Sequence, residues 1–369
     1  MYKYLLYTII VFSSIYLINI VRFIIGMTVK DHILENTKIY PVSIIIAVKN
    51  GEANLLRMLK SLSQQSYDGN MEFIIIDDNS IDETKNIINN YISIDERVRY
   101  VNSIDGASYL NHKKRALDAG ICKARHEYLL FTDIDCIIQP EWVKSMMSCF
   151  SEGIDYVAGH AYVYDRASIL NKFQRIDLLM LLFSAKSMIA SGNPWASIGQ
   201  NQAYTKTLYA RLEGFKSISK YLQGDDTLFL QLAVHRGAKV IFNNNPKSYV
   251  VSRTELSWNN LLLQRGRWSG DANIMWRFNM GFYIMALSLW IMSAGLILLI
   301  VLNYFKLLLV ILFFKILFES LLYILGSRSF LHSIRYFDFL IWFIIHPLYV
   351  FIMGISSFFN FEWKGARFK

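Results

Sequence analysis

Cysteine is scarce: the 369 residues hold three, Cys122, Cys136 and Cys149, with no close pair and no zinc-type spacing. That excludes a disulfide framework and points to reduced thiols, small core residues in a cytosolic setting. A basic tract interleaved with aromatics is also missing, so the formal net charge of +9 does not read as nucleic-acid binding. The charge suits a chain that lies against anionic lipid and handles a phosphorylated ligand. There is no internal repeat, low-complexity tract or long linker. Finally, no small-residue cleavage site follows the first apolar run, residues 4–25, which is too long for a signal h-region and reads as an uncleaved anchor.

What is abundant is apolar surface. Hydrophobic residues make up 54% of the chain and the mean hydropathy is +0.29, more than a soluble domain usually carries. Residues 282–303, 305–325 and 337–358 are each long enough to span a bilayer. The expected organisation is an anchor over 1–29, a polar α/β domain over 30–255, interfacial helices over 256–281, and spans with a basic tail over 282–369. Lys30, Lys38, Arg328 and Arg335 favour a cytosolic side, and so does the tail with Lys364, Arg367 and Lys369. Four full crossings cannot satisfy both groups. Either one segment is re-entrant, broken at His346-Pro347, or the tail departs from the positive-inside rule. Inside one span, Lys315 and Glu319 sit one turn apart, marking either a polar path or a mutually neutralising pair.

The middle alternates strands and helices. Val42–Val48 is a continuous apolar strand, followed by a helix over Glu52–Gln65. Met71–Asp77 and Asp82–Tyr91 repeat the unit, as do Val98–Val101 and Asn111–Ala124, before a fourth strand at Tyr128–Thr132. Such a rhythm implies a mostly parallel sheet with helices on both faces. Ligands in these sheets bind beyond the carboxyl ends of the strands.

Polar clusters stand at those ends. The first strand runs into Ala47-Val48-Lys49-Asn50-Gly51-Glu52, and the second into Asp77-Asp78-Asn79-Ser80. Alone, the second is as well explained by a turn and helix cap. After the fourth strand come Asp133 and Asp135, which share a face if the strand continues. Two like charges held together are costly without a cation, and hard carboxylates suit Mg2+ or Mn2+; the plain alternative is a solvated strand end. Gly224-Asp225-Asp226 opens a helix to about Arg236, with Asp226 either its cap or a general base. Gln264, Arg267 and Trp268 share a helix face just before the spans, beside Arg265. An interfacial helix with an aromatic anchor would look the same.

Asp-Asp-Asn-Ser, Asp-Ile-Asp, Gly-Asp-Asp and Gln-Arg-Gly-Arg-Trp, in this order across residues 40–280, resemble membrane-bound family 2 glycosyltransferases, which include cellulose and hyaluronan synthases and ceramide glucosyltransferases. Lys113 falls in the lysine position of a Lys-x-x-Ala-Leu segment, and Asn201 in a Gly-x-Asn segment. Two residues depart from the pattern: Ala47 where proline is common, and Asp225 where glutamate is usual. The resemblance implies a GT-A fold, a Rossmann-like α/β sheet, with residues 30–255 as a cytosolic catalytic domain. It implies a nucleotide-diphosphate sugar as donor, a UDP-sugar first, and a lipid or lipid-linked acceptor at a bacterial inner membrane. Ala47, Asn50, Glu52, Asp77, Asp78, Lys113, Asp133, Gln264 and Arg267 would bind the donor. Asp133 and Asp135 would hold Mg2+ or Mn2+, Asp226 would be the base, and Asp225, Trp268 and Asn201 would meet the acceptor. A negatively charged donor would also account for Lys113, Arg265 and Arg267.

Three rivals remain. A processive polysaccharide synthase would need more than about three spans after the domain. A haloacid-dehalogenase-like phosphohydrolase would carry Asp-x-Asp on its first strand and a further acid where Leu228, Phe229 and Leu230 stand. A catalytically silent membrane scaffold has no need of acids suited to chemistry.

Overall fold

A computed structural model describes residues 2–29, 38–151, 153–356, 361–363 and 366–368. Lys30, Lys364 and Lys369 lie outside the described residues, so the charge argument for them is not tested. The chain divides into two compact units: residues 31–162 with 194–253, and residues 1–30 with 163–193 and 254–369.

The first of these is an α/β unit. Its strands are β1 (Val42–Val48), β2 (Met71–Asp77), β3 (Val98–Asn102), β4 (Tyr128–Phe131), β5 (Ile137–Ile138), β6 (Tyr156–Gly159), β7 (Ala161–Val163), β8 (Gln202–Thr205), β9 (Val240–Asn243) and β10 (Val250–Ser252). Seven of them form one sheet in the order β3-β2-β1-β4-β8-β6-β9, and β5-β10-β7 form a small second sheet. Pairing among β1 to β4 is parallel, with Val48 beside Asp77 and Ile45 beside Phe131, whereas β8 runs antiparallel to both β4 and β6. The isoleucines of β1 and β2 are fully buried because helices cover both faces, which is why these strands read as largely apolar runs, interrupted by Ser43 and Glu72. Strand order reverses between β1 and β4, so a crevice is expected at their carboxyl ends.

The α/β unit also holds α2 (Glu52–Ser63), α3 (Thr84–Ile92), α4 (His112–Lys123), α5 (Trp142–Met147), α7 (Lys206–Arg211) and α8 (Thr227–His235). The other unit holds α1 (Tyr2–Thr28), α6 (Ile169–Ala190), α9 (Trp258–Ile274), α10 (Met280–Val301), α11 (Phe305–Ser329) and α12 (Tyr336–Ser356). Among the described residues, α1 (from Lys3), α10, α11 and α12 are the four helices long and apolar enough to cross a membrane. A short hairpin, Phe361–Trp363 with Ala366–Phe368, follows.

Three expectations change. First, β4 ends at Phe131, and residues 133–136 form a turn closed by the Cys136 amide on the Asp133 carbonyl at 3.1 Å. Asp133 and Asp135 are therefore turn residues, not same-face strand residues. Second, α12 continues unbroken through His346-Pro347, so no break there makes it re-entrant. Third, residues 163–193, counted by sequence with the polar middle, belong to the unit of apolar helices, where α6 packs on α1, α11 and α12. Nearly the whole of α6 is buried, and its charges are paired within that unit: Arg175 with Asp338 at 2.6 Å, and Asp177 with Arg265 at 3.2 Å. Lys315 and Glu319 form a pair at 2.7 Å with no exposed surface, and the Tyr16 hydroxyl also donates to Glu319. The neutralising reading describes that pair.

Candidate functional site

Two loops at the carboxyl ends of β1 and β2 are laced together. Asn50 takes a left-handed backbone (φ 51°), and its amide donates to the Ser80 hydroxyl at 2.9 Å while its side-chain oxygen accepts from the Ile81 amide at 2.9 Å. The Gly51 amide donates to Thr84 at 2.8 Å, the Glu52 amide to Asp82 at 3.1 Å, and Glu52 accepts from the Glu83 amide at 3.1 Å. The expected donor-binding side chains Asn50 and Glu52, both exposed, thus each use one oxygen to shape the second loop. Asp77 is buried at the end of β2, accepting from the Ser80 amide at 2.9 Å and from Tyr100 at 3.2 Å. Asp78 stays part-exposed beside it, its amide on the Val48 carbonyl at 2.7 Å, and Ala47 is part-exposed at the end of β1.

Further along, one cation gathers acids from distant parts of the chain. The Lys113 ammonium, from the first turn of α4, donates to Asp133 at 2.9 Å and lies 3.1 Å from Asp225. Burial opposes its charge, but Asp133, Asp225 and Asp226 outweigh that and raise its pKa. A Cβ placed on Gly199 would stand 3.1 Å from the Lys113 ammonium, 3.3 Å from Asp225 and 3.6 Å from Asp226, so all three groups meet at this glycine. Lys113, Asp133, Asp225 and Asp226, drawn from separate segments of the chain, therefore lie together.

Asp226 caps α8 as expected, one oxygen accepting the Thr227 amide at 2.5 Å and the other the Gly199 amide at 3.0 Å. Burial, and then the neighbouring Asp225 charge, lift its pKa to about 6 against the opposing pull of the two amides and Lys113. The segment 194–199, between α6 and β8, is pinned to α8 as well: Gln231 donates to the Pro194 and Trp195 carbonyls at 2.9 and 2.7 Å, and Thr227 to the Ser197 carbonyl at 2.9 Å.

Asn201, expected to meet an acceptor, is fully buried. Its amide donates to the His160 and Ser248 carbonyls at 2.8 Å each, and its oxygen accepts from the Trp142 indole at 3.0 Å. Each of those contacts is to protein, so Asn201 ties β6, β8 and the segment before β10 together rather than facing a ligand. Lys114, which the sequence reading passed over, is fully buried beside Lys113 and donates to carbonyls just ahead of Gly224. Its only signal in the sequence is a second lysine on a helix face shared with Leu117, Asp118 and Ile121, all buried.

Asp133 and Asp135 are both part-exposed in one turn, and the Asp135 carbonyl accepts from Arg57 at 3.1 Å. No cluster of three or more candidate ligands occurs among the described residues. Two hard carboxylates open to solvent fit a Mg2+ or Mn2+ ion whose remaining ligands are phosphate oxygens and water.

In the helical unit, Gln264 donates to Glu255 at 3.0 Å, and the Arg265 guanidinium lies 3.8 Å from the Trp268 ring centroid. Arg265 is buried against Asp177, whose pKa burial raises against Arg265's opposing charge. The expectation that a negative donor accounts for Arg265 gives way: it is a strut between α9 and α6. Gln264, Arg267 and Trp268 lie on the same helix, α9.

Residues 43–212 match the family model described as Glycosyl transferase family 2. The chain is similar to the putative glycosyltransferase EpsH of Bacillus subtilis, 32% identical over 31% of this chain and 32% of that one. It is also similar to the GalNAc(5)-diNAcBac-PP-undecaprenol beta-1,3-glucosyltransferase of Campylobacter jejuni, 26% identical over 36% of this chain and 41% of the relative. The chain thus spans well under half the length of these curated relatives. In structure it resembles the mannosyltransferase PcManGT from Pyrobaculum calidifontis, solved in complex with GDP-Man and Mn2+, with a TM-score of 0.62, 14% identity, and 89% and 99% of the two chains covered. That likeness is one of fold, the GT-A type. The matched segment, residues 43–212, lies largely within the α/β unit that carries this fold.

Proposed function

We propose that the chain is a membrane-bound inverting glycosyltransferase that moves a sugar from a nucleotide-diphosphate sugar to a lipid or lipid-linked acceptor. The observation that carries this reading is the gathering of Asp133, Asp225 and Asp226 around the Lys113 ammonium. In this reading Asp77 and Asp78 take the nucleoside side of the donor beside the β1 loop, Lys113 faces its diphosphate, and Asp225 borders the acceptor.

Asp226 takes the proton of the acceptor hydroxyl. The acceptor oxygen then bonds to the anomeric carbon as the bond from that carbon to the phosphate oxygen breaks, and the electron pair leaves with the nucleotide diphosphate. Inversion follows because attack and departure lie on opposite sides. The two backbone amides on Asp226 hold its oxygens in place, and a pKa of about 6 leaves it ionised yet basic at neutral pH. Asp133 and Asp135 would hold Mg2+ or Mn2+, which when bound neutralises charge on the departing diphosphate.

Support for the donor class comes from a fold neighbour solved with GDP-Man and Mn2+, and for the acceptor class from a relative named for a PP-undecaprenol-linked sugar. Four membrane-length helices and an absence of paired cysteines fit a bacterial inner membrane with the acid-bearing unit in the cytosol. The test is a screen of UDP- and GDP-sugars with purified protein in lipid, with and without EDTA. Transfer of one sugar, abolished by EDTA and restored by Mn2+, is the expected result. A ladder of products would show a processive synthase, and release of phosphate from an aryl phosphate a phosphohydrolase.

A further inference from the structure

Lys114 is 1% exposed, and its ammonium donates to the carbonyls of Ile218 at 2.9 Å, Gln223 at 2.8 Å and Tyr221. An ammonium carries three N–H donors, and here three carbonyls from one six-residue segment meet it. Burying such a charge is unfavourable unless its hydrogen bonds are complete, so the arrangement is a specific one. The segment it gathers, 218–223, runs directly into Gly224, Asp225 and Asp226. Gly224 is left-handed (φ 98°), and a Cβ there would stand 2.4 Å from the Leu228 side chain, so the path from the gathered carbonyls to the acids has little freedom.

The helix that supplies Lys114 is itself fixed. It packs on β1, β2 and β3, and a Cβ on Gly120 would lie 2.7 Å from Ile76, so the helix sits close on the sheet. The preceding residue, Lys113, faces Asp133 and Asp225. Consecutive lysines on one helix therefore address one site in two ways, the first through acid side chains and the second through the backbone that leads to them.

We infer that Lys114 is a positioning residue for the general base: it holds segment 218–223 so that Asp225 and Asp226 stand at a fixed distance from α4 and the strand-end acids. This rests on the glycosyltransferase reading only for its consequence in rate. The test uses the full-length protein in lipid with Lys114→Met, which keeps the length of the side chain and removes its donors. Lys114→Gln supplies the same measurements should the first variant fail to fold. Hydrogen exchange of the 218–226 amides is expected to accelerate while that of Val42–Val48 does not. With UDP-glucose or GDP-mannose, whichever the screen selects, kcat is expected to fall about tenfold or more while donor KM stays within about threefold. Unchanged exchange at 218–226 overturns the inference, as does loss of kcat, donor affinity and melting temperature in parallel. If the wild-type protein transfers no sugar, the glycosyltransferase reading fails, and the exchange measurement still decides the hold of Lys114 on the segment.

Discussion

At neutral pH the Asp226 carboxylate is charged where burial and a neighbouring acid both disfavour charge. A base works only when unprotonated, so the transfer rate should fall as pH drops through about 6 and level off above it. Asp225→Asn removes the like charge and makes ionisation easier, so the acid limb of the pH–rate profile should move to lower pH. A limb that stays in place would show that Asp225 does not set this pKa. Asp226→Asn should lower kcat by about 10²–10⁴ with nucleotide binding retained, read from single-turnover rates and UDP titration. Asn201 makes the opposite kind of residue-scale prediction. Asn201→Ala leaves the buried Trp142 indole N–H unmet and removes a bond from the Ser248 and His160 carbonyls, the latter keeping the Val250 amide, at a cost of about 1–3 kcal/mol for each group left unmet where water cannot reach. The melting temperature should fall while donor KM in the surviving protein is unchanged. One sequence shows that Asn50, Glu52 and Asn201 are polar and near strand ends, which is why they read as ligand contacts. It does not show which backbone groups they face: Asn201 is buried among its partners, while Asn50 and Glu52, both exposed, each accept one amide of the neighbouring loop.

Elements were legible where packing has a period. β1 and β2 have the bounds the apolar runs imply, because both faces are buried; the polar residues within them, Ser43 and Glu72, are buried as well and bond each other at 2.6 Å. The end of β4 was not legible, since an alternation of Asp, Ile and Asp fits a strand and a turn equally well. The turn still brings Asp133 to Lys113. Helix α6 was missed for a physical reason: its arginine, lysines and aspartate lower the hydropathy of a segment in which Arg175 and Asp177 are paired out of solvent and Lys186 is buried, donating to the Val29 carbonyl. Segment 194–199, held to α8 through Gln231 and Thr227, has Gly199 at its closest approach to the acids. Gly199→Ala requires the Lys113 ammonium and Asp225 to give way by a few tenths of an ångström. It should lower kcat about tenfold, the scale of a small misplacement of reacting groups, with little change in melting temperature.

For the whole molecule, the α/β unit is discontinuous in sequence, since residues 163–193 leave it and residues 194–253 return. A chain truncated after Arg253 keeps α1 and α6 but loses α9 to α12, and with them Arg265 and Asp338, the partners of Asp177 and Arg175. Uncompensated buried charge and uncovered apolar helix surface should leave it aggregated in detergent. Size-exclusion chromatography checks this, and a monodisperse truncated protein that binds nucleotide would contradict it.

That detour also orders events during synthesis. Strands β1 to β4 and Lys113 emerge before residue 163, whereas β8, Gly199 and Asp226 emerge only after α6 has been made. Because domains fold from the N-terminus as they leave the ribosome, a nascent chain that has emerged as far as about residue 165 would already display the parallel half of its sheet. It would do so without the group assigned here to remove the acceptor's proton, so chemistry would await the second passage of the polypeptide through the sheet.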